Sequence, residues 1–146
     1  MFNFFREIAP SQTEILVGST VSAFGTVFCY LFGCWDRLIE ALLVAMVLDY
    51  ASGVIAAYLN PNKKLNSQKG FAGILKKIMI LVMVATAHFV DYATGQEVMI
   101  RSVVILFFLG NEGLSILENS ANAGLPVPNG LKESLEQFTK NKVGGK

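Results

Sequence analysis

Between Ile15 and Trp35 the chain reads ILVGSTVSAFGTVFCYLFGCW, 21 residues without an Asp, Glu, Lys or Arg. At about 1.5 Å of rise per residue, a helix of that length reaches roughly 30 Å, the thickness of a bilayer's hydrocarbon core. Just before the run, Ser11-Gln12-Thr13-Glu14 follows Pro10. A Ser and a Glu three apart satisfy each other's backbone amides at a helix start, so the first helix is predicted to begin here and end near Gly33. Trp35 with Asp36-Arg37 then makes a short polar turn with an aromatic at the interface. A cleaved signal peptide would want a basic start and a shorter apolar stretch. Here Arg6 is offset by Glu7 and Glu14, so the run reads as a retained first span.

The rest of the chain repeats this pattern. Of 146 residues, 53% are hydrophobic and 16% charged, against roughly 25% charged in an average soluble domain, and the mean hydropathy is +0.49. The fold class predicted is an all-α integral membrane protein, a bundle of about four transmembrane helices with a short amphipathic C-terminal helix. Residues 1–14 form an interfacial lead-in with Phe2, Phe5 and Ile8. The membrane domain covers 15–120, with spans near 15–33, 38–59, 74–92 and 98–117, and a tail covers 121–146. Asn60-Pro61-Asn62 breaks the second span, a polar loop runs to Gly73, and Thr94-Gly95-Gln96 turns the third span into the fourth. Gly124-Leu125-Pro126-Val127-Pro128 closes the membrane part, and Leu131, Leu135 and Phe138 share one face of the tail helix.

With four spans, both termini and the 60–73 loop lie on one side. That side holds Arg6, Lys63, Lys64, Lys69, Lys76, Lys77, Lys132, Lys140, Lys142 and Lys146, ten basic residues against Arg37 and Arg101 on the other. The positive-inside rule therefore predicts a multi-pass membrane protein with both termini and the 60–73 loop cytoplasmic. Lys76 and Lys77 are expected to snorkel at the start of the third span, and Arg101 at the outer end of the fourth. A net charge of +1 excludes a strongly basic nucleic-acid surface. Cys29 and Cys34, five apart on a helix, point to different faces at about 7–8 Å and form no disulfide framework. No P-loop, metal box or nucleophile elbow is present, so neither an enzyme nor a cofactor is expected.

Polar residues inside spans are the informative ones, because each costs roughly 2.5–3.5 kcal/mol at a helix centre. Asp49 lies midway along the second span, on a stripe of small residues that includes Ala41, Ala45, Ser52 and Ala56. It faces either other helices or water in an assembly, or a hydrogen-bond partner within one bundle. In the first span Gly18, Ser22, Gly25, Cys29 and Gly33 recur at helical spacing, a face suited to close helix packing within one chain or between chains. His88 and Asp91 lie one turn apart and are expected to pair with each other, since no third ligand for a metal is evident. Arg101, Phe108, Glu112, Ser115 and Asn119 fall along one stripe of the fourth span, where Glu112 meets either a partner or a polar cavity.

The chain also carries a family's residues in order. Leu48-Asp49-Tyr50-Ala51-Ser52-Gly53 with Ala56-Ala57 is followed by Leu65-Asn66-Ser67, Gly70, Gly73 and Lys77. Asp91 comes next, then Asn111-Glu112-Gly113-Leu114-Ser115-Ile116-Leu117-Glu118-Asn119, Gly124-Leu125-Pro126-Val127-Pro128 and Leu131-Lys132. Over about residues 15–137 this resembles phage holins of the toxin-secretion/phage-lysis type. The resemblance implies a protein that oligomerises with itself in the host's cytoplasmic membrane and opens a lesion. A peptidoglycan hydrolase or a toxin passes through, and an antiholin is a further partner. The competing class is a small ion- or proton-coupled transporter or channel using Asp49 and Glu112; a third is a scaffold anchoring a partner through the cytoplasmic loop.

Overall fold

The computed structural model describes residues 11–60, 67–131 and 133, and every regular element among them is helical. In chain order these are α1 (Gln12–Phe32), α2 (Arg37–Leu59), α3 (Ser67–Thr94) and α4 (Met99–Asn122). Each is long and apolar enough to cross a membrane. The chain divides into two compact units, residues 1–34 and 35–146.

In the first unit α1 starts at the expected box. Ser11 N–H donates to Glu14 Oε2 at 2.7 Å, and Glu14 N–H donates to Ser11 Oγ at 3.3 Å. Inside the helix the hydroxyls of Thr20 and Thr26 return to the carbonyls of Leu16 and Ser22. Their polarity is thereby satisfied within the helix, as an apolar solvent requires. Gly33 ends α1 at φ 78°, donating its N–H to the Cys29 carbonyl. A left-handed residue is what allows the chain to leave a helix this way. Neither Cys29 nor Cys34 is disulfide-bonded.

In the second unit α2 is capped by Asp36, whose carboxylate accepts the amides of Leu38 and Ile39, and it ends at Asn60, before Pro61. α3 begins seven residues before the expected Ile74 and takes Gly70 and Gly73 into the helix. A helical Gly costs about 1 kcal/mol, less than leaving backbone groups unpaired beside lipid. Tyr50 of α2 lies beside Gly70, its hydroxyl 3.6 Å from where a Cβ would stand, an ordinary van der Waals contact. α4 likewise runs five residues past Leu117 before Gly124 turns the chain at φ 90°.

α4 is the helix against which α2 and α3 both pack; α2 and α3 have no comparable backbone approach to each other. Buried side chains lie along the facing stripes: Ile39, Leu42, Ala45, Met46 and Ala56 on α2, Val84 and Ala87 on α3, Ile105 on α4. Large apolar residues such as Val47, Ile55, Phe71, Met79 and Val103 face outward. So broad an apolar exterior suits lipid and not water. Residues 1–10, Lys63, Lys64, Leu135 and Phe138, and with them the lead-in and most of the tail helix, lie outside the described residues.

Candidate functional site

The stripes that carry the core also carry charge. On α2 the buried face runs Leu42, Ala45, Asp49, Ser52, Ala56. On α3 Lys77, Val84 and Asp91 recur every seven residues, and on α4 Arg101, Ile105 and Glu112 share a face. Packing these faces together brings the polar residues into two clusters.

The first lies within the spanning segments. Lys77 Nζ donates to Asp49 Oδ2 at 2.8 Å and to Glu112 Oε2 at 2.5 Å, joining α3 to α2 and α4 at once. Asn119 Nδ2 donates to Asp49 Oδ1 at 3.1 Å and reaches Ser52 Oγ at 3.0 Å. Gly53 lies against that amide, a Cβ there standing 3.4 Å from Asn119 Nδ2. The ion-paired side chains are 8–17% exposed. One ammonium thus serves two carboxylates, a cluster with one excess negative charge when all three are ionised.

The second cluster closes the opposite end of α3. Both Asp91 oxygens accept backbone amides at the start of α4, from Ile100 at 2.9 Å and Arg101 at 2.8 Å. The carboxylate thereby satisfies amides that a helix N-terminus leaves orphaned, and its charge meets the positive end of the helix dipole. Arg101, fully buried, donates to Asp36 Oδ2 at 2.5 Å, tying α4 to the cap of α2. Burial pushes the Asp36 carboxyl up, but the Arg101 guanidinium and the Ile39 and Leu38 amides outweigh it and hold the group below the ordinary aspartate value.

Several expectations are corrected by these contacts. Lys77 does not snorkel; it reaches inward because two carboxylates wait there, while its neighbour Lys76 stays exposed. Arg101 does not snorkel either, being buried against Asp36. His88 and Asp91 do not pair, because both Asp91 oxygens are engaged by α4; the His88 Nδ1 is buried without a hydrogen-bond partner. Asp49, Ser52, Glu112 and Asn119 do come together, with Ala45 buried one turn away, whereas half-buried Ser115 stands outside the network. Lys69 lies in the first turn of α3. Among the described residues no group of three or more His, Cys, Asp and Glu is placed to hold a metal. The seven-residue repeat of Lys77, Val84 and Asp91 was the available sign that Lys77 faces the interior.

Four spanning-length apolar helices, with ion pairs buried among three of them, define a multi-pass integral membrane protein. The chain belongs to the bacteriophage holin family, whose sequence signature matches residues 26–140. It is 46% identical over 126 residues to an uncharacterized protein of Listeria innocua, covering 86% of this chain and 88% of that one. A 14.9 kDa protein from the nagH 3′ region of Clostridium perfringens is 40% identical over 123 residues, covering 84% and 92%. A protein of Bacillus phage phi105 named "probable holin" is 31% identical over 106 residues, covering 73% and 76%. No solved structure matches the chain.

Proposed function

We propose that this protein oligomerises in the cytoplasmic membrane of a bacterial host and opens a lesion through which a peptidoglycan hydrolase reaches the cell wall. The observation that carries the reading is the holin-family match over residues 26–140, on a chain whose helices expose apolar faces and whose Asp49, Lys77 and Glu112 are ion-paired among α2, α3 and α4. Exposed apolar faces suit insertion and lateral association in lipid, and a cluster of polar side chains supplies groups that can face water once subunits rearrange.

The orientation proposed puts both termini and the α2–α3 loop in the cytoplasm. Because Lys77 and Arg101 are engaged inside the protein, neither is counted. The ten-to-two division becomes nine to one, Arg37 alone remaining outside, so the positive-inside argument is kept. A second reading, a small ion- or proton-coupled channel, is favoured by one observation: Lys77 set between two carboxylates within the spans.

Inducible expression in bacteria carrying a cytoplasmic cell-wall hydrolase separates the two. The holin reading expects a delay, then abrupt loss of membrane potential together with release of the hydrolase and lysis. Ion flux or depolarisation without release of any protein-sized cargo overturns it and leaves the channel.

A further inference from the structure

We propose that Lys77 is a latch holding the N-terminal half of α3 over the polar face of α2 and α4, and that α3 swings about its C-terminal end when the latch releases. The proposal deepens the holin reading by naming what moves.

Three observations carry it. First, α2 and α3 pack on α4 more closely than on each other. Backbone packing runs through α4, and between α2 and α3 opens an apolar cleft of about 320 Å³, walled by Met46 and Tyr50 from α2 and by Ile74, Lys77 and Ile78 from α3. Lipid is as apolar as these walls, so their burial supplies little drive for closure. The Lys77–Asp49 ion pair crosses at this cleft.

Second, the far end of α3 is secured differently. Asp91 grips two amides of α4, and the connection from Thr94 to Met99 is only four residues long. Arg101 and Asp36 bind α4 to α2 at the same end. A helix anchored firmly at one end, and held to α2 and α4 by the Lys77 ion pairs toward the other, moves as a lever when those pairs break.

Third, the short connection is built from backbone that turns sharply. Gly95 sits at φ 67° and Val98 at φ 47°. The left-handed region is unfavourable for a β-branched residue, so Val98 has a conformation to relax into if the angle between α3 and α4 changes. Lifting the N-terminal half of α3 would take Lys77 away from Asp49 and Glu112 and bring these carboxylates to water.

The test places a thiol in the cleft. Met46→Cys, in a background with Cys29 and Cys34 replaced, is treated with a charged methanethiosulfonate in fragmented membranes that expose both faces, before any lysis. With Lys77 or Lys77→Arg present the thiol is expected to be protected; with Lys77→Met its modification is expected to be at least tenfold faster. The neutral triple variant Asp49→Asn/Lys77→Met/Glu112→Gln is expected to react as fast, because it too has no latch. A return to the protected rate in the triple variant would assign the effect to stranded carboxylates and overturn the latch. Equal rates in Lys77 and Lys77→Met overturn it as well. A control thiol, Ala87→Cys at the pinned end, is expected to stay protected throughout. Its modification in Lys77→Met would mean unfolding and not a hinge. Labelling is scored independently of lysis, so cleft opening without hydrolase release would count against the holin reading alone.

Discussion

Removing either acid of the Lys77 cluster leaves a neutral Lys–carboxylate pair, whereas removing both strands an ammonium. Asp49→Asn retains an oxygen for Asn119 Nδ2 and leaves Lys77 bound to Glu112; Glu112→Gln leaves it bound to Asp49. Each single change loses one charge-assisted hydrogen bond, worth about 1.5–3 kcal/mol. It also relieves repulsion between two carboxylates on one cation, so a net cost of about 1 kcal/mol is expected. The double variant leaves a buried charge uncompensated, which costs about 3–5 kcal/mol. The coupling energy is then about 2 kcal/mol, well beyond the few tenths expected of independent sites. The assay is SDS-titrated unfolding of the purified protein in mixed micelles, read by the fluorescence of Trp35, the single tryptophan. Lysis timing is read beside it: the two single variants should lyse near the parental time and the double far from it. Additive single and double effects would refute the shared-cation arrangement. So would an Asp49→Asn cost as large as that of the double variant.

Other expectations follow from different parts of the molecule. In the Cys29/Cys34-free background, a cysteine at Asn66 should resist an impermeant thiol reagent in intact cells while one at Thr94 reacts; labelling at Asn66 would reverse the proposed orientation. Gly25→Leu should leave membrane insertion intact, since Leu is the more apolar residue, yet weaken detergent-stable oligomers and delay lysis if the small-residue face of α1 packs between copies. Unchanged oligomers and timing would assign that face to lipid. Because the folded-state value of Asp36 is depressed, its contribution to stability is present above the ordinary aspartate value, near 4, and is lost as pH falls through the lower folded value. Stability in micelles should therefore carry an acid-labile component below about pH 4 that Asp36→Asn abolishes, and identical pH profiles for the two proteins would contradict the Arg101 pairing.

What could be read from the chain were the properties a segment carries by itself. A run of 21 uncharged residues is long enough for a bilayer wherever it is placed. A Ser and a Glu three apart cap a helix whatever surrounds it, and both appear at the start of α1 as expected. Helix ends were less legible where no apolar boundary marks them: α3 and α4 extend through Gly70 and Glu118 because hydrogen bonding, not hydropathy, decides where a helix stops.

Two of the polar residues that matter were also visible one by one, since a charge inside a span is conspicuous on any reading: Asp49 and Glu112 stand out on that ground, and Asn119 only by falling on the stripe of Glu112. Their partners were not. Lys77 and Arg101 stand near the ends of their spans, where a long side chain reaches the interface or the interior with equal ease. Choosing between these requires the position of a carboxylate on another helix. Periodicity places a residue on a face of its own helix, but the register between helices sets which faces meet and at what height. Local sequence determined that the chain crosses a membrane and which residues disturb its spans. Tertiary packing of α2 and α3 on α4 decided that Lys77 serves two acids and that Asp91 holds the start of α4 and not His88.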